Sequence, residues 1–163
     1  MLVGEGSHDL GIIRMREALS TMTETGGDLI RCFGLSLLID SYLMARQPER
    51  GLATVEETLK GIEESGQRLL EPEIWRLRAE LLLLQGAGDG EAERSFRRAL
   101  EIAHAQQSRS WELRAASGLA RFLQHRGRTA EAKSVLEPVH ASMTEGLDTD
   151  DYKQASATLN TPS

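Results

Sequence analysis

Small and apolar residues recur along this chain about every forty residues. Four segments align on that period, and they are Gly11–Leu19, Gly51–Leu59, Ala92–Leu100 and Ala132–Val139. In each segment a small residue leads, a larger apolar residue follows at the fourth or fifth position, and an apolar or small pair closes it. The leading residues are 40, 41 and 40 positions apart. A fixed period of this length is typical of helical-repeat arrays.

The third segment shows the helical pattern most clearly. Its apolar positions follow the i, i+4, i+7, i+8 spacing of one helix face, and they are Ala92, Phe96, Ala99 and Leu100. Charged residues occupy the opposite face, where Arg97 stands four residues from an acid on either side, Glu93 and Glu101. We expect Phe96 to be buried between paired helices and Arg97 to lie on the outer face.

A second, more apolar set of helices is expected between these segments, at about 28–45, 72–85 and 110–126. Pro72 suits a first helical turn and Ser110 suits an N-cap. Four glycines suit C-terminal stops, and they are Gly26, Gly66, Gly86 and Gly127. No stretch alternates apolar and polar residues as a strand would. The pattern predicts about eight helices and an all-α fold.

These elements divide a single domain, residues 1–163, into repeats of about forty residues. Residues 1–25 would form an incomplete first repeat. Helix pairs are expected at 28–66, 72–107 and 110–143, and a capping helix at 148–160. We expect the pairs to be antiparallel and to stack into a right-handed α-solenoid.

Two sets of residues give this pattern a family resemblance. Ala92, Phe96 and Ala99 match the small, aromatic and small positions in the second helix of a tetratricopeptide repeat. In the helix before it, Trp75 and Ala79 match the Trp and small positions of the first helix. The chain therefore resembles tetratricopeptide-repeat proteins, and that resemblance implies a module that binds other proteins.

Longer stretches resemble a narrower family. Residues 76–83, 95–103, 110–116 and 144–149 are similar to the C-terminal repeats of bacterial multidomain signalling ATPases, which are linked to a nucleotide cyclase or to a DNA-binding domain. The resemblance implies a regulatory interaction module, with the ATPase or cyclase domain of the same polypeptide as a candidate partner. The alternative is a ligand- or peptide-sensing domain of a transcriptional regulator.

Charge and composition narrow the range of partners. The net charge of −6 opposes binding to a phosphate backbone, so we expect no nucleic-acid partner. The longest apolar run, Leu81–Leu84, is far too short to cross a bilayer, and no signal peptide is recognisable at the N-terminus. Cys32 is the only cysteine, which excludes an intramolecular disulfide. We therefore expect a cytoplasmic protein that has no membrane partner.

Motifs for catalysis or cofactor binding are absent from the sequence. None of the three lysines follows a glycine, so the phosphate-binding loop motif does not occur. The four histidines are scattered, with no two at i, i+4. Trp75 and Trp111 suit either stacking on a ligand or packing on a neighbouring helix, and packing is the favoured role. We expect no catalytic residue, no cofactor and no metal in this chain.

The resemblance places the binding surface on the first helices of the pairs, which line a concave groove. The residues carried onto that groove are Ser36, Asp40, Met44, Arg76, Glu80, Arg114, Ser117, Arg121 and Gln124. Arg114 and Arg121 are seven residues apart and share one helix face. They would either hold an acidic segment of a protein or peptide partner in a bidentate manner, or pair with Glu112 or acidic neighbours in the next repeat. The sequence leaves both roles open.

Self-association is a further candidate. The first repeat lacks its partner helix, and Ile12, Met15 and Leu19 would form an apolar face on the helix that remains. Either residues 1–3 or another chain would cover it, and the second case would be a homodimer through this N-terminal helix face.

Overall fold

The structure, a computed structural model, describes residues 5–22 and 28–161. Within these ranges all regular structure is helical, which confirms the predicted all-α class. The helices are α1 (Glu5–Met22), α2 (Asp28–Met44), α3 (Pro48–Ser65), α4 (Glu71–Gln85), α5 (Asp89–Ala105), α6 (Arg109–His125), α7 (Thr129–Ala141) and α8 (Asp150–Leu159). No helix among the described residues is both long and apolar enough to cross a membrane.

The ends of the helices follow most of the sequence signals. Gly66 and Gly86 end α3 and α4 in the left-handed conformation, with φ of 73° and 75°. Pro72 lies in the first turn of α4, as predicted. The expectation for Ser110 is wrong, because α6 begins at Arg109. The N-cap residue is Ser108, and its side chain makes no capping hydrogen bond. The stop expected at Gly26 lies outside the described residues.

The helices contact one another in a regular order. Each helix packs against the next one along the chain, and in addition α2 contacts α4, α4 contacts α6 and α6 contacts α8. Among the described residues no comparable backbone contact joins two odd-numbered helices. The even-numbered helices therefore form one continuous row, and α3, α5 and α7 lie beside it without touching each other's backbones.

Three clusters of buried hydrophobic side chains hold this row together. The largest lies between α4, α5, α6, α7 and α8 and includes Phe96, Leu119 and Leu136. A second lies between α2, α3 and α4, and a smaller third one joins α1 to α2. Phe96 is only 1% exposed, as expected.

A close approach between α5 and α6 depends on the absence of a side chain at Gly118. A Cβ atom at this position would lie 2.6 Å from Cε1 of Phe96, which is closer than carbon atoms can pack. The Phe96 ring is itself fixed between neighbours that include Phe122, whose ring centroid is 6.3 Å away. A glycine at position 118 therefore lets α6 lie directly on the aromatic ring of α5.

Four charged residues form a ring that ties α5 to α7. Arg97 Nη2 donates to Glu93 Oε1 and to Glu131 Oε1, each at 2.7 Å. Arg128 donates to the same two carboxylates, also at 2.7 Å. The expected pairing of Arg97 with Glu93 is confirmed, but its second partner is Glu131 of α7 instead of Glu101. Arg97 therefore connects two helices through its side chain.

We expect Gly118→Ala to destabilise the protein by about 1–3 kcal/mol, because the added methyl group overpacks the core against Phe96. Gly11→Ala is the matched control, since a Cβ atom added at that position on α1 would have no neighbour within 4 Å. That substitution should raise stability by about 0.5–1 kcal/mol through helix propensity. Urea unfolding followed by circular dichroism measures both changes. Equal effects of the two substitutions would contradict the close approach.

The ion-pair ring predicts a dependence of stability on pH. Hydrogen bonds from Arg128 and then Arg97 hold the pKa of the Glu93 carboxyl below its ordinary value. A carboxyl with a lowered native pKa stabilises the fold above its unfolded pKa and loses that contribution as pH falls through the native pKa. Glu93→Gln should therefore be less stable than wild type at neutral pH, and the two should converge in acid. A stability difference that does not change with pH in urea titrations would refute this.

Candidate functional site

Most of the predicted groove residues lie close together on the row of even-numbered helices. A cavity of about 70 Å³ between α4, α6 and α8 is lined by six side chains: Arg76, Arg114, Ser117, Arg121, Asp151 and Gln154. Four of these were predicted from the sequence. Asp151 and Gln154 come from α8, which packs on α6.

Arg76 is a buried charge at this site, with 8% of its surface exposed. Its Nε and Nη2 atoms donate to the two carboxylate oxygens of Glu73 at 2.8 and 2.9 Å. Burial lowers the pKa of the Arg76 guanidinium, but the hydrogen bonds and charge of Glu73, with the charges of Glu80 and Asp40, outweigh burial and raise it. Arg76 is therefore an internal ion-pair partner that an incoming ligand cannot contact without breaking the pair with Glu73.

The two arginines of α6 also have acidic partners within the chain. Arg114 Nη1 lies 3.1 Å from Glu73 Oε1, and its Nε lies 3.7 Å from Asp151 Oδ2. Arg121 Nη2 donates to Glu80 Oε1 at 3.2 Å. Of the two roles left open by the sequence, pairing with acidic neighbours is the one observed.

Glu112, the other expected partner, lies elsewhere. It is 4% exposed and accepts from Arg109 at 2.9 Å, and its Oε1 lies 2.7 Å from His104 Nδ1. These contacts hold the first turn of α6 against the end of α5. The arginines of the groove take no part in them.

The remaining predicted residues differ in accessibility. Ser36 is buried, and its hydroxyl donates to the Phe33 carbonyl at 2.7 Å. Gln124 donates to the Thr158 carbonyl of α8 at 2.8 Å. Ser117 is 4% exposed, and its Oγ has no hydrogen-bond partner in the part of the chain that the structure describes. Asp40 is half-buried, whereas Met44 is 67% exposed.

Neither Glu73 nor Asp151 was predicted from the sequence, although the repeat period contained a signal for Glu73. Arg114 follows Glu73 by forty-one residues, and Arg121 follows Glu80 by the same interval. Neighbouring helices of the row thus place an acid and an arginine at equivalent positions, where they meet. Asp151 had no such signal, because it lies on the short final helix.

Exposed apolar residues are concentrated on the first two helices. Seven of the nine large apolar side chains exposed in the described residues belong to α1 or α2, and they are Leu10, Ile13, Leu29, Ile30, Phe33, Leu37 and Met44. The residues expected to form an exposed apolar face on α1 do not do so. Ile12 is 4% exposed, and Met15 and Leu19 pack on α2. The open apolar surface lies mainly on α2.

A second cleft opens between α3 and α5, with α4 as its floor. It has a volume of about 570 Å³ and is lined by Trp75 together with Arg78, Arg94 and Arg98, among others. The Arg78 guanidinium lies 5.6 Å from the centre of the Trp75 ring, and the buried indole N–H has no acceptor among the described residues. The carboxylates of Glu56, Glu91 and Glu101 also line this cleft, so its wall carries charges of both signs beside the aromatic ring.

Among the described residues, no three His, Cys, Asp or Glu side chains come together in a group that could hold a metal ion.

Comparison with known proteins does not place this chain in a family. No protein-family model matches it, and no match was found among curated proteins or solved structures.

We expect Glu73→Gln to destabilise the protein by about 3–5 kcal/mol, because it leaves the Arg76 charge buried without its carboxylate. Glu57→Gln is the control, since that carboxylate pairs with an arginine, Arg31, but is 61% exposed. The control should have almost no effect on stability. Thermal and urea unfolding measure both. A negligible change in Glu73→Gln would show that the pair is not a structural requirement.

Proposed function

We propose that this chain is a protein-interaction module of the tetratricopeptide-repeat type, built as a right-handed α-solenoid of antiparallel helix pairs. Three observations support the proposal. The sequence repeats about every forty residues, and only three to five residues join consecutive helices from α2 to α7. The even-numbered helices form a row along which equivalent positions meet. A small residue, Gly118, lies where Phe96 of the preceding helix packs.

The resemblance of residues 76–83 and 95–103 to repeats of bacterial signalling ATPases supports a more specific role. In this proposal the module regulates or assembles a cytoplasmic ATPase or nucleotide cyclase, and the partner is a protein or peptide segment. The ATPase or cyclase domain of the same polypeptide is the first candidate. The proposal assigns no chemistry to the module itself.

The observation that carries the proposal is the accessible part of the groove on α6. The Arg121 side chain is 41% exposed, and its only ion pair among the described residues is a single contact with Glu80 at 3.2 Å. Its other N–H groups are directed to no acceptor in that part of the chain. A carboxylate from a partner can therefore bind Arg121 without breaking the buried pair of Glu73 and Arg76. The centre of the proposed surface accordingly lies at Arg121.

One observation favours the alternative function, a sensor of a small ligand. The cleft that contains Trp75 combines an aromatic ring with four arginines and three carboxylates in about 570 Å³. A volume of this size suits a small organic anion. The groove cavity of about 70 Å³ has room only for water molecules or a single side-chain group.

We expect synthetic acidic peptides to bind the chain and Arg121→Ala to weaken that binding at least tenfold, or by about 1.4 kcal/mol. Fluorescence anisotropy with labelled acidic, basic and uncharged peptides measures the affinities. Arg98→Ala is the matched control, because Arg98 is 51% exposed, has one contact at 3.5 Å and lies on α5. It should leave the affinity unchanged.

Three outcomes would count against the groove. Acidic peptides could fail to bind, or Arg121→Ala and Arg98→Ala could weaken binding equally. A rise in melting temperature with nucleotides or small carboxylates that Arg98→Ala abolishes and Arg121→Ala preserves would favour the sensor function and the Trp75 cleft.

A further inference from the structure

A ridge of apolar side chains runs along the open side of α2. It consists of Ile30, Phe33, Leu37 and Met44, which are 55%, 52%, 44% and 67% exposed. Their spacing of three, four and seven residues keeps them on one face of a helix of 17 residues, about 25 Å long. We call this surface the α2 ridge. Large apolar side chains that are exposed together on a protein surface often mark an interaction site.

We propose that two copies of this chain associate through the α2 ridge, with the two α2 helices antiparallel and crossing at Leu37 on a two-fold axis. This inference does not depend on the proposed function, because it uses neither Arg121 nor the Trp75 cleft. Two-fold dimers are the commonest symmetric assemblies, and they require a surface that is complementary to itself. The α2 ridge meets that requirement in its shape and in its charge.

The shape argument follows from the order of residues along α2. In an antiparallel pair centred on Leu37, this residue faces Leu37 of the second copy. Phe33 then faces Ser41, and Ile30 faces Met44. The Phe33 ring thus lies over the small Ser41 side chain beside the ridge, and at each end Ile30 of one copy meets Met44 of the other.

The dimer would also leave no polar group unsatisfied at its centre. The Ser41 hydroxyl already donates to the Leu37 carbonyl of its own helix at 2.8 Å. Of the charged residues that flank the ridge, Arg31 pairs with Glu57 of α3 at 2.9 Å, and Asp40 is half-buried. The four side chains of the ridge are themselves uncharged, so a contact between two ridges buries no charge at its centre.

The packing of the other even-numbered helices indicates that the ridge is a surface for a helix of this same kind. The residues forty positions after Ile30, Phe33 and Leu37 are Leu70, Glu73 and Leu77 of α4 and its N-terminal boundary. All three are buried, and Leu70 and Leu77 belong to the apolar cluster formed with α2 and α3. On α2 the corresponding surface continues the row of helix contacts but has no helix over it among the described residues.

The other end of the row does not match the ridge. The outer side of α8 carries Asp150 and Lys153, which are 93% and 65% exposed. A head-to-tail contact would bury these charges against apolar side chains, and it would also extend into a filament instead of closing. A contact between two α2 ridges avoids both problems, which is why a second copy in a two-fold arrangement is the occupant that we propose.

The first test is the mass of the full chain in solution, by light scattering coupled to size exclusion over a wide range of concentration. We expect a dimer, and we expect Leu37→Glu to convert it to a monomer by placing two carboxylates together on the axis. Leu69→Glu is the matched control, because Leu69 is 52% exposed and lies outside the ridge. It should remain a dimer. A wild-type chain that is monomeric at every concentration overturns the proposal, as does a dimer that survives Leu37→Glu.

The second test examines the register with introduced cysteines under mild oxidation. Leu37→Cys should cross-link to itself. Ile30→Cys and Met44→Cys should cross-link efficiently when mixed and poorly when alone. Circular dichroism confirms that each variant is folded. A dimer in which Leu37→Cys does not cross-link, or a series of larger oligomers, would overturn the two-fold arrangement.

Discussion

The enclosure of α4 is the constraint on which the rest of the structure depends. This helix contacts α2, α3, α5 and α6, and nine of its fifteen residues are buried. Three of the nine, Glu71, Glu73 and Arg76, are ionisable. An ionised group that is removed from water must be paired, or the fold loses several kcal/mol. The position of α4 therefore determines which charges its neighbours have to supply.

Those requirements explain the charges on the adjacent helices. Glu71 accepts from Arg68 in the preceding turn, while Glu73 binds Arg76 and is approached by Arg114 from α6. Arg114 then lies near Asp151 of α8. A series of alternating charges thus crosses three helices of the row. Residues that a groove could have offered to a partner are used to join the helices, and Arg121, with 41% of its side chain exposed, is the most accessible of the three groove arginines.

The sequence predicted the parts of the fold that depend on local patterns. The helix bounds of α2, α4 and α6 agree with the expected ones to within a residue, because apolar periodicity, Pro72 and the terminal glycines are local signals. The expectation for Arg97 was incomplete for the opposite reason. An i, i+4 pair with Glu93 is visible in the sequence, but the contact with Glu131 depends on where α7 lies beside α5.

The candidate site was predictable to a similar degree. Repeat register brought Arg76, Arg114, Ser117 and Arg121 to one cavity, yet it could not indicate that Arg76 would be buried. Burial depends on how many helices surround α4, and no single segment carries that information. The exposed ridge on α2 was not predicted, because a helix with so many apolar residues is expected to be buried on all sides. Only the packed arrangement shows that one side of the helix has no neighbour among the described residues.

The two ends of the row of even-numbered helices differ in polarity. A helix at the end of such a row has a neighbour on one side only, so its outer face is either polar or needs a further partner. At one end, α8 has that polar face. At the other, the cluster between α1 and α2 contains only four buried side chains among the described residues, against twelve in the cluster that includes Phe96. The helices with the smallest core thus carry most of the exposed apolar surface, and covering the α2 ridge would supply the burial that this end lacks.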